Sequence, residues 1–182
     1  MQKASLSPSS YVIFGLLALH GPATSYDLTQ WVDGSIGFFW SFPRSQLYAE
    51  PERLIKYGYL SEKREEAGRR RRVYALTKSG RAALQAWLRR PTREQSELRD
   101  PGLLKLFFMS VVKREDFVAL AQEQVAVHRR RLDAYERIAA ESAGPERASF
   151  PAATLEVGLM YERLNIDFWE RLKERPPQSD RV

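Results

Sequence analysis

The stretch from Trp40 to Thr77, WSFPRSQLYAEPERLIKYGYLSEKREEAGRRRRVYALT, constrains this chain more than any other. Leu47, Pro51, Leu54 and Ile55 fall at i, i+4, i+7 and i+8, the spacing of one helix face. Gly58 closes that helix after Tyr57. Tyr59 to Glu65 and Arg71 to Leu76 have strand character, and Ala67-Gly68 supplies the turn between them. The pattern predicts a helix starting between Phe42 and Ser45, then a β-hairpin whose tip carries Arg69, Arg70, Arg71 and Arg72. Pro51 stands inside the helix, where it removes a backbone hydrogen bond and is expected to kink it.

The flanking segments complete an architecture. Ser7-Pro8 offers an N-cap and a proline at the first helical position. The apolar run from Tyr11 to Leu19 then predicts a helix wrapped on most sides, stopped by Gly21-Pro22. Thr24 to Asp27 has capping-box spacing and opens a second helix, with Tyr26, Leu28 and Trp31 expected in the core. Phe38, Phe39 and Trp40 read as packing between helices. Thr77 caps a fourth helix, Lys78 to Arg90, with Leu84, Trp87 and Leu88 turned inward. Three helices, a two-stranded wing and a further helix make a winged helix-turn-helix. The expected fold class is mainly α, with this domain over residues 1–90 and a helical dimerisation and effector domain over 91–182.

The polar face of the third helix suits a DNA duplex. Groove readers place the N-terminal residues of the recognition helix on base edges. Arg44, Ser45, Gln46 and Tyr48 are therefore the first contact candidates, with Arg53 and Lys56 further along. Arginine suits guanine and glutamine suits adenine, while serine or tyrosine reaches phosphate. In isolation such a face would read as merely solvated, and an arginine-tipped hairpin as a soluble sheet edge. Charge distribution argues otherwise. Of the net +6, residues 1–90 hold 14 Lys/Arg against 7 Asp/Glu, and the remainder 15 against 16. A basic half points to a polyanionic partner. Each phosphate neutralised should add about −0.9 to the salt slope.

Beyond Arg90 the connector PTREQSELR leads to Asp100-Pro101, a cap and first-turn proline for an apolar segment around Leu103 to Val111. A long helix is expected from Arg114 to Glu141. Its seam is Val118, Ala121, Val125, His128, Leu132, Tyr135 and Ala139. Gly144-Pro145 breaks it. The last helix, Pro151 to Lys173, carries two apolar stripes: Leu155, Leu159, Ile166 and Trp169, then Val157, Tyr161, Leu164, Phe168 and Leu172. One stripe serves the long helix. The other calls for a second copy of the chain, so a homodimer is expected, with Leu155, Val157, Leu159, Leu164, Ile166 and Leu172 as its contacts. Tyr11, Trp40, Phe107, Phe108, Tyr161, Phe168 and Trp169 form a candidate pocket for a small aromatic or phenolic effector, although core packing accounts for each singly.

In order and spacing, VIFGLLALHGPATSYDL, SQLYAEPERLIKYGYL and GRRRRVYALTKSGRAAL resemble the PadR family of bacterial transcriptional regulators. ELRDPGLLKLFF and LEVGLMYERLNIDFWERL are similar to the virulence-activator-like helical domain of its longer subfamily. The resemblance spans nearly the whole chain. It implies a homodimeric regulator, most often a repressor, on a palindromic operator of double-stranded DNA, with release by a phenolic compound in some relatives. Departures from the family pattern are Ser25 where glycine is common, Ala49 after Tyr48 where proline is usual, and Pro43 in place of a small polar residue.

Other classes find little support. With no cysteine and two separated histidines, thiolate metal sites and histidine triads lack their residues. No P-loop or dinucleotide fingerprint occurs, so neither enzymatic activity nor a cofactor or metal is expected. The longest apolar run is too short to span a bilayer, which predicts a cytoplasmic protein with no membrane partner. The rival reading is a protein-interaction module that uses the winged fold without specific DNA binding.

Overall fold

The computed structural model describes residues 5–41, 43–64, 70–141 and 149–176. Phe42, the Ala67-Gly68 turn, Arg69 and the Gly144-Pro145 break lie outside them. Two units divide the chain, one ending at Glu94 and the other beginning at Gln95.

The first unit runs α1 (Pro8–His20), α2 (Ser25–Asp33), α3 (Gln46–Lys56), β1 (Leu60–Arg64), β2 (Arg72–Leu76) and α4 (Lys78–Leu88). Its starts follow from side-chain chemistry. Ser7 and Ser10 exchange reciprocal capping bonds at α1, with Pro8 at the first position. Thr24 and Asp27 do the same at α2. Gly21 takes φ 88°, and Gly58, between α3 and β1, takes φ 74°, conformations that favour glycine.

Ile13, Phe14, Leu16, Leu17, Leu28, Leu47, Leu54, Leu60, Tyr74 and Leu84 form the core of this unit. α1 contributes most to it and α3 lies across it, burying Leu47, Pro51 and Leu54. Pro51 sits inside α3, which continues as one helix on either side of it; the first turn is closed by short bonds from Leu47 N–H to Arg44 and Tyr48 N–H to Ser45.

The wing is antiparallel, pairing Leu60 with Leu76, Glu62 with Tyr74 and Arg64 with Arg72. A one-residue bridge adds Ala23 to it, with N–H···O distances of 3.0 and 2.8 Å to and from Tyr74. No periodicity in the sequence signals that bridge. Thr77 locks the root of the wing: its oxygen accepts from Gly80 N–H and lies 2.8 and 2.9 Å from the Gly58 and Tyr59 carbonyls.

Several aromatic and aliphatic expectations need correction. Tyr26, Phe39, Trp40 and Leu88 are exposed within this unit. In α2 the buried face is Leu28, Thr29 and Val32, and Tyr26 lies off it. Trp87 is half exposed, stacked on Tyr11 with ring centroids 4.6 Å apart.

The second unit comprises α5 (Pro101–Phe107), α6 (Arg114–Glu141) and α7 (Phe150–Glu174). α6 and α7 pack along their length. Their core is Phe117, Leu120, Ala121, Val125 and Trp169, with Leu172 and Phe168 packed on its edge. Leu172 thus belongs to the same-chain seam, a correction to its place in the second stripe. Gly158 lets Tyr135 close on α7, where a Cβ would stand 2.9 Å from the ring. Toward this end the seam turns polar: His128, Glu162 and Asn165 are all buried, and His128 Nδ1 lies 2.6 Å from Glu162 Oε2.

Candidate nucleic-acid interface

α3 presents an exposed face with Arg44 and Ser45 in the turn before it and Gln46, Tyr48, Glu52 and Lys56 along it. Burying Leu47, Pro51 and Leu54 on one side forces these residues to the other. The wing follows directly, so helix and hairpin belong to one surface-forming unit through Tyr59 and Leu60.

The cations on this surface are not equivalent. Arg44, exposed, pairs with the half-buried Asp33 of α2 at 2.9 Å. Arg53 is tied down more fully: Nε and Nη2 donate to Glu50 at 2.8 and 2.6 Å, Nη1 to the Ser5 carbonyl at 3.1 Å and Nη2 to Ser10 at 3.2 Å. Ser10 Oγ also donates to Glu50 at 2.5 Å. Burial pushes the Glu50 carboxyl up, but the bonds from Arg53 and Ser10 outweigh it and hold the group below its usual range. Gln46 accepts from the Ser9 hydroxyl. Arg53 and Glu50 therefore clamp α3 to the start of α1, a role that the spacing of α3 by itself does not reveal.

Strand alternation turns Arg72 to the opposite face from Arg71. Leu60, Glu62, Tyr74 and Arg72 share the inward face of the hairpin. There the Arg72 guanidinium bridges Glu62 (2.5 Å) and Glu52 of α3, with Tyr74 beneath it at 5.8 Å. The bond from Arg72 holds the Glu62 carboxyl below its usual range, and Glu62 first, then Glu52, raise Arg72 further. Arg70, with φ 48°, and Arg71 are exposed; Arg69 lies outside the described residues.

The proposed pocket residues divide between the two units. Tyr11 is stacked on Trp87, and Trp40 is exposed. Trp169 is fully enclosed in the α6–α7 core, with Phe168 edge-on against it, so both serve packing. Phe107 and Phe108 meet edge-on and are exposed in their unit, and Tyr161 is partly so. Of the stripes on α7, Val157 and Leu164 are exposed and Leu155, Leu159 and Ile166 half-buried.

Comparison with known proteins decides the family. Residues 13–86 match the transcriptional regulator PadR-like family, and residues 98–175 match the virulence activator alpha C-terminal family. The negative transcriptional regulator PadR of Bacillus subtilis is 31 % identical over 147 residues, covering 78 % of this chain and 80 % of that protein. The chain belongs to the PadR family. Solved structures agree with this membership. Bacillus subtilis PadR in complex with operator DNA is similar at a TM-score of 0.81 and 26 % identity, over 91 % of this chain and 96 % of that one. The same regulator in complex with p-coumaric acid gives 0.75 at 26 % identity over the same shares. The Vibrio cholerae virulence activator AphA gives 0.69 at 26 % identity, again over 91 % and 96 %. This PadR-family chain is thus a transcriptional regulator with a winged-helix domain and a helical C-terminal domain, and no helix among the described residues is long and apolar enough to cross a membrane.

Proposed function

We propose that this PadR-family regulator is a repressor that binds a palindromic operator as a homodimer. The observation that carries the reading is the exposed N-terminal end of α3, with Arg44, Ser45, Gln46 and Tyr48, followed by a wing whose second strand is entered through the exposed Arg70 and Arg71. Side chains at the start of such a helix reach base edges in the major groove, while Arg69, Arg70 and Arg71 approach phosphates. Lys56 extends the contact along α3. The Bacillus subtilis relative, captured on operator DNA, supports operator binding.

Val157 and Leu164, joined by Met160 on the exposed side of α7, supply an apolar strip suited to a second copy. Leu155, Leu159 and Ile166 flank it. An aromatic acid is the effector class, by likeness to the p-coumaric acid complex of the relative. Of the candidate pocket residues, Phe107, Phe108 and Tyr161 of the second unit keep open surfaces. The effector acts by preferring one arrangement of the two wings over the other.

A gel-shift of the purified protein on DNA upstream of its own gene, with and without p-coumaric acid, tests the reading. A shift competed by specific but not by random duplex is expected, with release by the acid. A dimeric protein that shifts no such DNA at moderate salt would refute it in favour of a protein-interaction module.

A further inference from the structure

Two five-residue strands do not hold an orientation by themselves; whatever fixes the wing must come from its contacts with the helices. At the root this is done by Leu60 and Tyr74 in the core, by the Ala23 bridge and by Thr77. Near the tip the apolar contacts have run out. Arg64 and Arg72 stand opposite each other there, a like-charged pair that would push the strands apart. Glu62, two pairs further in and on the same face, lies within reach of both: 2.5 Å from Arg72 and 3.4 Å from Arg64. The second arm of Arg72 crosses to Glu52, on the exposed face of the recognition helix.

We propose that Arg72 is a positioning residue for operator binding, clamping the outer end of the wing to α3 through Glu62 and Glu52 rather than contacting phosphate itself. The inference rests on the DNA-binding reading and deepens it. A planar guanidinium serves two carboxylates at once with a fixed geometry, which an ammonium on a flexible stem does not. The clamp has a second effect. It neutralises Glu52, a carboxylate that would otherwise face the DNA backbone from the reading helix. Arg72 sits in the same run as Arg70 and Arg71; it alone of the three lies within β2, on the face shared with Glu62 and Tyr74, while Arg70 precedes the strand at φ 48°.

The test is binding of the full-length protein to its operator across a salt series, with the variants Arg72→Lys, Glu52→Gln and the double variant. A clamp predicts that Arg72→Lys and Glu52→Gln each weaken binding about fivefold. The double variant should be no weaker than Arg72→Lys alone, since both remove one interaction. The slope of log K against log salt should be unchanged, because no phosphate contact is lost. A direct phosphate contact predicts the opposite pattern. Arg72→Lys would then be tolerated, Glu52→Gln would tighten binding by releasing the arginine, and Arg72→Ala would reduce the slope by about 0.9. Either tighter binding by Glu52→Gln or a reduced slope overturns the clamp while leaving the function intact. A wild-type protein that binds no duplex overturns the function itself. Circular dichroism of each variant at the binding temperature guards against a fold defect. If Arg72→Lys proves misfolded, Glu52→Gln, which alters an exposed side chain, still decides the matter.

Discussion

Gly80 and Gly15 both lie within helices of the first unit, and helix propensity alone gives them the same expectation. Alanine in a helix interior is favoured over glycine by about 1 kcal/mol. The structure separates them. A Cβ on Gly15 would meet nothing within 4 Å, whereas one on Gly80 would stand 2.3 Å from the Tyr59 carbonyl oxygen and 2.6 Å from a Leu76 methyl. That carbonyl cannot simply move, because it accepts from Thr77 N–H at 3.1 Å and lies 2.9 Å from the Thr77 hydroxyl. Overpacking against a fixed backbone costs about 1–3 kcal/mol, and the upper end applies here. Less the propensity gain, Gly80→Ala should lose about 2 kcal/mol, which in a domain of this size is a fall of about 8–16 °C in Tm. Gly15→Ala should raise the Tm by a few degrees. Thermal melts followed by circular dichroism, at one fixed protein concentration because a dimer's melting point depends on it, compare the two directly. If Gly80→Ala melts at or above the wild type, the close approach of α4 to the root of the wing is wrong, and with it the reason for a glycine after Leu76-Thr77.

Other perturbations test the interface and the second unit. Arg44→Ala or Gln46→Ala should relax preference at particular operator positions, by about 1–3 kcal/mol of discrimination each, in a binding series over operator variants; a uniform loss would move the reading edge elsewhere. The lowered Glu62 and Glu50 carboxyls contribute stability that is complete above the ordinary carboxylate range and is lost as pH falls through their depressed values. Acid titration of the first unit should therefore show a steeper loss than the Glu62→Gln variant, and superimposable curves would deny that linkage. In the second unit, Glu162→Ala strands the buried His128 and should cost about 1–3 kcal/mol, with Glu162→Gln costing less, as read by denaturant unfolding.

What the sequence made legible were features carried by local chemistry. Ser7-Pro8, Thr24 with Asp27, and Thr77 three residues before Gly80 each announce a helix start through a side chain and a backbone N–H close in sequence. Long-range choices were not legible. Tyr26, Phe39 and Trp40 are aromatic, and sequence reasoning sends aromatics inward; which of them face the core depends on how α2 and the segment after it lie against the other helices. Glu162 and Asn165 occupy inward positions of α7, where an apolar stripe was expected; Glu162 meets His128, 34 residues away, and Asn165 donates to the Tyr161 carbonyl of its own helix. A carboxylate in such a seam is acceptable only because a partner awaits it, and pairing across two helices leaves no periodic trace. The wing shows the same limit: four consecutive arginines are chemically identical until register assigns Arg72 inward.

That distinction reaches the charge of the whole interface. Residues 1–90 are basic by +7, and seven cations stand among the interface candidates: Arg44, Arg53, Lys56 and Arg69 to Arg72. Were all seven to neutralise phosphates, the salt slope would be about −6 per chain. Arg44, Arg53 and Arg72 are already engaged by Asp33, Glu50 and the Glu52–Glu62 pair. An arginine that stays with its carboxylate, or exchanges it for a base edge, releases no counterion. With those three removed, the expected slope is no steeper than about −4 per chain. Equilibrium binding measured from low to moderate salt distinguishes the two values. A slope near −6 would mean that DNA strips these arginines from their carboxylates, and that the ion pairs of the unbound protein are not the geometry in which it reads its operator.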